Sequence, residues 1–351
     1  TLDERSRSVW LVNSYNIQFI IIQRLMHKLI RYKNLLFIIA IQLLMAKAII
    51  MPTLAMFNLY TLTPLWMLLC VILATVLIAA GGYVINDYFD LKIDRINRPD
   101  RVLIGTIIEK PTAMRLYQVL TGLGVLIGLV VAVMLRNTTL GLIFVVVPGM
   151  LWFYSASYKR QFIIGNLIIA LSAALVPLLP VIVESTLLSQ NYGDLIQETP
   201  VIRTLYMWIA GFAAFAFIWT LIREIIKDMQ DEYGDREMEC RTIPIVCGTM
   251  WTKWIVSALV VLSVAALGWL IITYFHLPND GSITIRYFLF GIVAPSICLL
   301  VLLWSKNCQA LQHAATLAKF IMVFGVLYSL VYYYLLAKAY GLVFLGLFQV
   351  L

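Results

Sequence analysis

The 351-residue chain is poor in charge, because only 13% of its residues are Asp, Glu, Lys or Arg, whereas 62% are hydrophobic. A water-soluble domain carries about a quarter of charged residues. This composition therefore excludes an ordinary soluble globular protein. The excess of apolar residues instead requires that part of the protein surface faces lipid.

Cysteine and histidine are also scarce. The five cysteines form no Cys-x-x-Cys pair, and the three histidines, His27, His276 and His313, lie far apart in the sequence. A disulfide framework, a zinc site and a histidine metal centre are therefore not expected. The chain also lacks a Walker-type glycine loop, which argues against nucleotide hydrolysis.

Long apolar runs make up most of what is present. Nine of them approach the roughly 20 residues that a helix needs to cross a bilayer, and they lack the alternation of strands. We predict an all-α polytopic membrane protein with about nine transmembrane helices. They are placed at about 35–56, 64–85, 113–135, 138–156, 162–183, 201–224, 251–275, 286–304 and 315–340. Without a Gly/Ser-rich or Pro-rich linker, residues 34–351 are predicted to form one domain, preceded by a cytoplasmic interfacial amphipathic segment at 1–33.

The net charge of +8 follows a topological pattern, because cytoplasmic loops attract Lys and Arg. With the N-terminus in the cytoplasm, 21 cations fall in cytoplasmic segments, and only Arg136, Arg203 and Arg286 fall in the opposite loops. This distribution predicts a cytoplasmic N-terminus and an external C-terminus. It also explains the basic balance without a nucleic-acid partner.

Acidic residues concentrate in two of the predicted cytoplasmic loops, which hold 12 of the 18 acids. Each loop carries three aspartates at the spacing i, i+3, i+7, and these are Asp87, Asp90 and Asp94 in the first motif and Asp228, Asp231 and Asp235 in the second. On a helix this spacing places the carboxylates on one face, where they repel unless a cation binds. Carboxylates suit Mg²⁺ or Ca²⁺ rather than zinc. Two such faces could hold Mg²⁺ with a diphosphate between them, assisted by neighbouring Lys and Arg.

Four segments resemble the UbiA-type superfamily of intramembrane prenyltransferases. The two Asp-rich motifs of that family are similar to GGYVINDYFDLKIDRINRPDRVL (81–103) and REIIKDMQDEYGDREMECRTIPI (223–245). The family's Tyr-x-x-x-Leu-Lys-Arg loop is similar to YSASYKRQFIIGN (154–166), with Tyr158 in place of Leu. Its Arg-Pro-x-x-Asn segment resembles IRYKN (30–34), with Tyr32 where Pro is common.

This resemblance implies a prenyltransferase domain at 34–351, with its helices around a central cavity capped by cytoplasmic Asp-rich loops. It implies that Mg²⁺ is the cofactor and that a prenyl diphosphate and a lipophilic acceptor are the substrates. The implied metal ligands are Asn86, Asp87, Asp90, Asp94, Asp228, Asp231 and Asp235, of which Asp90, Asp94, Asp228 and Asp231 are the catalytic carboxylates. The implied substrate contacts are Asn34, Arg98, Arg101, Tyr154, Lys159, Arg160, Lys227 and Arg241.

The amino-acid sequences of the motifs look most similar to those of the geranylgeranylglycerol-phosphate geranylgeranyltransferase branch. We expect the protein in a bacterial or archaeal plasma membrane. Prenylation of an aromatic quinone, haem or chlorophyll-type acceptor remains an alternative, as does a non-catalytic lipid-binding membrane subunit. Transport is disfavoured, because transporters place their charges near the bilayer midplane, whereas these acids lie at the ends of the predicted spans.

Overall fold

The computed structural model describes residues 28–97, 99, 102–274, 280, 282–307, 309–344 and 348–349. Most of the predicted interfacial segment, together with Arg98 and Arg101, lies outside the described residues. The helices in chain order are α1 (Tyr32–Leu44), α2 (Met51–Met56), α3 (Leu65–Phe89), α4 (Leu91–Asn97), α5 (Lys110–Met134), α6 (Thr138–Ala156), α7 (Ile164–Tyr192), α8 (Leu195–Glu198), α9 (Val201–Glu237), α10 (Ile243–Cys247), α11 (Thr249–Thr273), α12 (Ile283–Phe288), α13 (Ala294–Trp304) and α14 (Ala310–Tyr340). Two short strands, β1 (Val343–Phe344) and β2 (Phe348–Gln349), pair antiparallel after α14.

Nine helical segments in the described part of the chain are long and apolar enough to span a membrane. Two are composite: Tyr32–Met56 joins α1 to α2, and Ile283–Trp304 joins α12 to α13. The predicted all-α architecture with nine spans is confirmed.

Several predicted boundaries are wrong by one to four turns. The fifth span continues to Tyr192 and the sixth to Glu237, so part of the predicted connection between these spans and most of the second acidic loop are helical. The apolar pattern ends where the helix leaves the hydrocarbon, but each further residue still adds a backbone hydrogen bond. Hydropathy therefore marks the lipid-exposed length rather than the helix end.

Both composite spans widen into a π-helical turn ahead of a proline. Met45–Ile50 precedes Pro52, and Leu289–Val293 precedes Pro295. A proline ring clashes with the carbonyl four residues earlier and offers no N–H to it. The wider turn accommodates both defects, so each span crosses the bundle without breaking.

The bundle places both acidic motifs at one end, which we call the site end. At this end the backbone N–H of Arg241 donates to the carbonyl of Arg160 at 2.8 Å, which joins the loop after α9 to the loop after α6. At the opposite end, Glu184 of α7 accepts from the backbone N–H groups of Leu62 and Thr63 at 2.6 and 3.0 Å. Polar contacts therefore tie the loops together at both ends of an apolar bundle.

Helices α3 and α5 approach closely through glycine. A Cβ at Gly124 would lie 2.8 Å from Ile78 Cγ1 and 2.9 Å from the Ala74 carbonyl oxygen. Small residues at such crossings let membrane helices pack backbone against backbone. This pair holds the end of α3, and with it the first acidic motif, in place.

Replacing Gly124 by Ala should lower thermal stability in detergent, because the added methyl overpacks the crossing and costs about 1–3 kcal/mol. Gly122 lies on the same helix with nothing within 4 Å of its Cβ position. Gly122→Ala should therefore be neutral or slightly stabilising, since Ala favours helix by about 1 kcal/mol. Equal melting temperatures for the two variants, measured by fluorescence-detected size exclusion, would contradict the packing argument.

Candidate functional site

The first acidic motif lies at the junction of α3 and α4. Asp87 is in the last turn of α3, Asp90 ends that helix, and Asp94 is in α4. Asp90 is buried with 4% exposure and accepts a hydrogen bond from Asn86 Nδ2 at 2.8 Å. A buried carboxylate requires such partners, because burial without them is costly.

Lys159 forms an ion pair with this buried carboxylate. It lies in a 3₁₀ turn, Tyr158–Arg160, between α6 and α7, and its Nζ donates to Asp90 Oδ2. Burial lowers the pKa of the Lys159 ammonium, but Asp90, Tyr154 and Asp94 more than offset this and raise the pKa above its ordinary value. Lys159 therefore stays charged at neutral pH.

The second acidic motif lies on the last turns of α9. Asp228 accepts from Asn166 Nδ2 at 2.8 Å, and Asp235 is buried with 7% exposure. Glu224 lies one turn before Asp228 and extends the acidic face, and it forms ion pairs with Arg223 and Lys227. The face thus runs over about three turns of one helix.

An amide bridge connects the two motifs. Asn97, the last residue of α4, donates to the Asp231 carbonyl at 3.3 Å and accepts from the Gly234 backbone N–H at 3.0 Å. A Cβ at Gly234 would lie 2.3 Å from Asn97 Oδ1. Only glycine at this position allows α4 to approach α9 so closely.

Tyr154 shows that the carboxylates of the two motifs face a common region. Its hydroxyl lies near enough to Lys159, Glu224, Asp90 and Asp228 for all four charges to act on it. The structure therefore brings together the predicted Asp90, Tyr154, Lys159 and Asp228 at the centre of the site end.

The residue that precedes α1 also contacts the first acidic motif. Arg31 Nη2 lies 2.6 Å from Asp87 Oδ1, and the guanidinium lies 4.9 Å from the centre of the Tyr83 ring. Burial lowers the pKa of Arg31, but Asp87 and Tyr83 outweigh it and raise the pKa. Asn34 lies close enough to Tyr83 to influence its hydroxyl, so the structure places Asn34 beside this group.

Other predicted residues lie away from this centre. The side chains of Arg160 and Arg241 are exposed, and their two segments meet through backbone atoms. Arg98 and Arg101 lie outside the described residues.

Sequence reasoning missed Arg31, Asn97, Asn166 and Glu224. A signal existed for Glu224, because its position four residues before Asp228 continues the same helical face.

The donor set fits Mg²⁺ that binds together with a phosphate ligand. Among the described residues, no group of three or more His, Cys, Asp or Glu side chains is close enough to hold a metal ion alone. Mg²⁺ is typically held by one or two carboxylates plus substrate phosphates. Oxygen donors at Asp90 and Asp228, paired now with Lys159 and Asn166, meet that requirement.

Comparison with solved structures identifies the fold. A solved structure of a digeranylgeranylglyceryl phosphate synthase aligns with a TM-score of 0.57 over 89% of this chain and 98% of that chain, at 22% identity. A UbiA homologue from Archaeoglobus fulgidus, solved with DMAPP and Mg²⁺, aligns with a TM-score of 0.54 over 86% of this chain and 97% of that chain, at 13% identity.

Comparison with known sequences assigns the family as well as the fold. A digeranylgeranylglyceryl phosphate synthase of Sulfurisphaera tokodaii is 31% identical over 262 residues, which cover 74% of this chain and 83% of that relative. The model of the UbiA prenyltransferase family matches residues 48–279, which include both acidic motifs. With nine candidate spans among its described residues and this match, the chain is an integral membrane protein and a prenyltransferase, and it belongs to the UbiA prenyltransferase family.

Proposed function

We propose that this prenyltransferase transfers a geranylgeranyl group from its diphosphate to the free hydroxyl of a geranylgeranylglyceryl phosphate, forming an ether lipid. The observation that carries the proposal is the convergence of Asp90, Asp228 and the charged Lys159 around Tyr154. The acceptor follows from the name of the Sulfurisphaera tokodaii relative. The charge distribution supports a cytoplasmic site end and a cytoplasmic N-terminus, and the archaeal relatives support an archaeal plasma membrane.

The residues of the site end have distinct tasks in this proposal. The carboxylates of Asp90, Asp94, Asp228, Asp231 and Asp235, with Asn86 and Asp87 nearby, would hold Mg²⁺, which neutralises the diphosphate charge when bound. The ammonium of Lys159 would bind a diphosphate oxygen once it is released from Asp90. Lys159 remains protonated, so it acts as a fixed positive charge on the leaving group.

The reaction breaks the allylic C–O bond of the donor, and the electron pair leaves with the diphosphate. The acceptor oxygen then bonds to the same carbon and passes its proton to the released diphosphate. Aromatic rings lie at the site end, where Phe89 and Tyr117 both pack against Trp152 at centroid distances of 5.5 and 5.3 Å. Apolar and aromatic surroundings exclude water and stabilise positive charge on carbon.

The direct test incubates the purified protein in detergent with labelled geranylgeranyl diphosphate and a panel of acceptors, and measures which acceptor gains the label. We expect transfer to geranylgeranylglyceryl phosphate and none to 4-hydroxybenzoate. Asp228→Asn should reduce the rate by about a hundredfold or more, the scale of losing one charge-stabilising group. The matched control is Asp194→Asn, on an exposed residue at the opposite end.

Label on the aromatic acceptor instead would assign the chain to another branch of the family. No label on any acceptor, in protein that elutes as a folded monodisperse species, would favour a binding subunit. A wild-type rate in Asp228→Asn would refute the role of the second motif.

The amide bridge gives a second prediction. Gly234→Ala should lower the transfer rate at least tenfold, because the methyl displaces Asn97 and shifts α4 with the first motif relative to α9. A misplacement of about 1 Å can cost a hundredfold in rate. The control is Gly211→Ala on the same helix. Nothing lies within 4 Å of the Cβ position at Gly211, so this variant should keep the wild-type rate. Equal rates for the two variants would show that the amide bridge does not set the position of the first acidic motif relative to α9.

A further inference from the structure

A group of basic side chains beside the acidic faces has no task in the proposed chemistry. We call it the basic cluster, and its members lie on three elements: Arg31 and Lys33 at the start of α1, Arg223 and Lys227 on α9, and Lys319 on α14. Of these, Lys227 alone was predicted from sequence as a substrate contact.

The register of α9 and α14 brings Lys319 to Arg223. The two helices run antiparallel, with Gln230 Nε2 donating to the Leu311 carbonyl at 2.9 Å and the Trp208 and Tyr332 rings 4.3 Å apart. Counting between these two contacts places Lys319 within one turn of Arg223. Helix α14 contacts both α9 and α1, and the like charges of Arg223, Arg31 and Lys33 act on the Lys319 ammonium.

The basic residues of α9 lie along one edge of its acidic face, on the side toward α14. At 3.6 residues per turn, Lys227 and Arg223 point about 60° and 100° away from Glu224, toward the side on which Gln230 contacts α14. Glu224 is the member of the acidic face that pairs with the basic cluster. It forms ion pairs with Arg223 and Lys227 and also interacts with Lys159 across the site.

Positive charge exceeds negative charge in the basic cluster. Its five cations meet two carboxylates, Asp87 and Glu224. Within the described part of the chain, no ion pair reaches the exposed side chains of Lys33 and Lys319. This excess of positive charge suits a multiply charged anion, such as a phosphate monoester.

Arg223 provides an independent sign of a missing partner. Its Nη1 is paired with Glu224, whereas its Nε is buried without a hydrogen-bond partner. A buried donor without a partner costs about 1–3 kcal/mol. A ligand oxygen at this position would remove that cost, and a guanidinium binds phosphate through such paired donors.

We infer that the basic cluster binds the phosphate of the acceptor, apart from the diphosphate of the donor. This inference rests on the proposed function. In a glycerol phosphate, the reacting hydroxyl is on the carbon next to the one that carries the phosphate. Holding the phosphate at Arg223 and Lys319 therefore brings the hydroxyl toward the region of Lys159 and Tyr154. The carboxylate of Glu224, paired with Arg223 and Lys227, lies on the acidic side of the phosphate site.

The test is steady-state kinetics of Arg223→Gln and Lys319→Gln in a neutral detergent without anionic lipid. Each variant should raise KM for geranylgeranylglyceryl phosphate about tenfold or more, with KM for geranylgeranyl diphosphate within twofold of wild type. Lys319 is exposed, so its variant should fold even if the Arg223 variant does not. Lys306→Gln, an exposed lysine at the same end of the bundle, should leave both constants unchanged.

Several results would overturn the inference. A rise in the donor KM, or a fall in kcat with both KM values unchanged, would place the cluster in the donor site or in a structural role. Unchanged constants, with wild-type activity that depends on added phosphatidylglycerol, would assign it to a bilayer phosphate. If wild-type protein used no glycerol phosphate acceptor, the proposed function itself would fail, and this inference with it.

Discussion

The burial of carboxylates at the ends of membrane helices is the constraint on which this structure depends. Asp90 is nearly inaccessible, and its charge is matched by Lys159 from a turn more than sixty residues away. Truncating one member of a buried pair is strongly destabilising, because it leaves an uncompensated charge. The folded bundle must therefore bring the α6–α7 turn to the end of α3. The same requirement places Asn166 on Asp228 and Asn97 against α9.

These pairings also suit a ligand that arrives with its own charges. Lys159 and Asn166 satisfy the carboxylates by single contacts, which a metal and a diphosphate can replace without moving a helix. In the neighbouring basic cluster, by contrast, cations outnumber carboxylates. The acidic faces and the adjoining basic cluster, linked through the ion pairs of Glu224, provide different electrostatic environments at one end of the bundle.

Hydropathy and motif spacing predict the nine spans and the converging Asp90 and Asp228, because lipid exposure and like-charge spacing leave direct traces in the sequence. They do not predict where α7 and α9 end, since polar residues continue a helix without an apolar signal. Asn97 and Asn166 leave no trace either, because a neutral amide acquires its role from a helix distant in sequence. Arg31 was counted as a topological charge, although tertiary contact places it on Asp87.

The central claim is that both acidic motifs act on one metal–diphosphate ligand. Electron paramagnetic resonance of Mn²⁺, a stand-in for Mg²⁺, measures it directly with the unreactive donor analogue geranylgeranyl S-thiolodiphosphate. We predict that wild-type protein retains Mn²⁺ only when the analogue is present. Asp90→Asn and Asp228→Asn, one from each motif, should each weaken that retention by about tenfold or more. Retention that survives either substitution, or that does not depend on the analogue, would contradict a shared site.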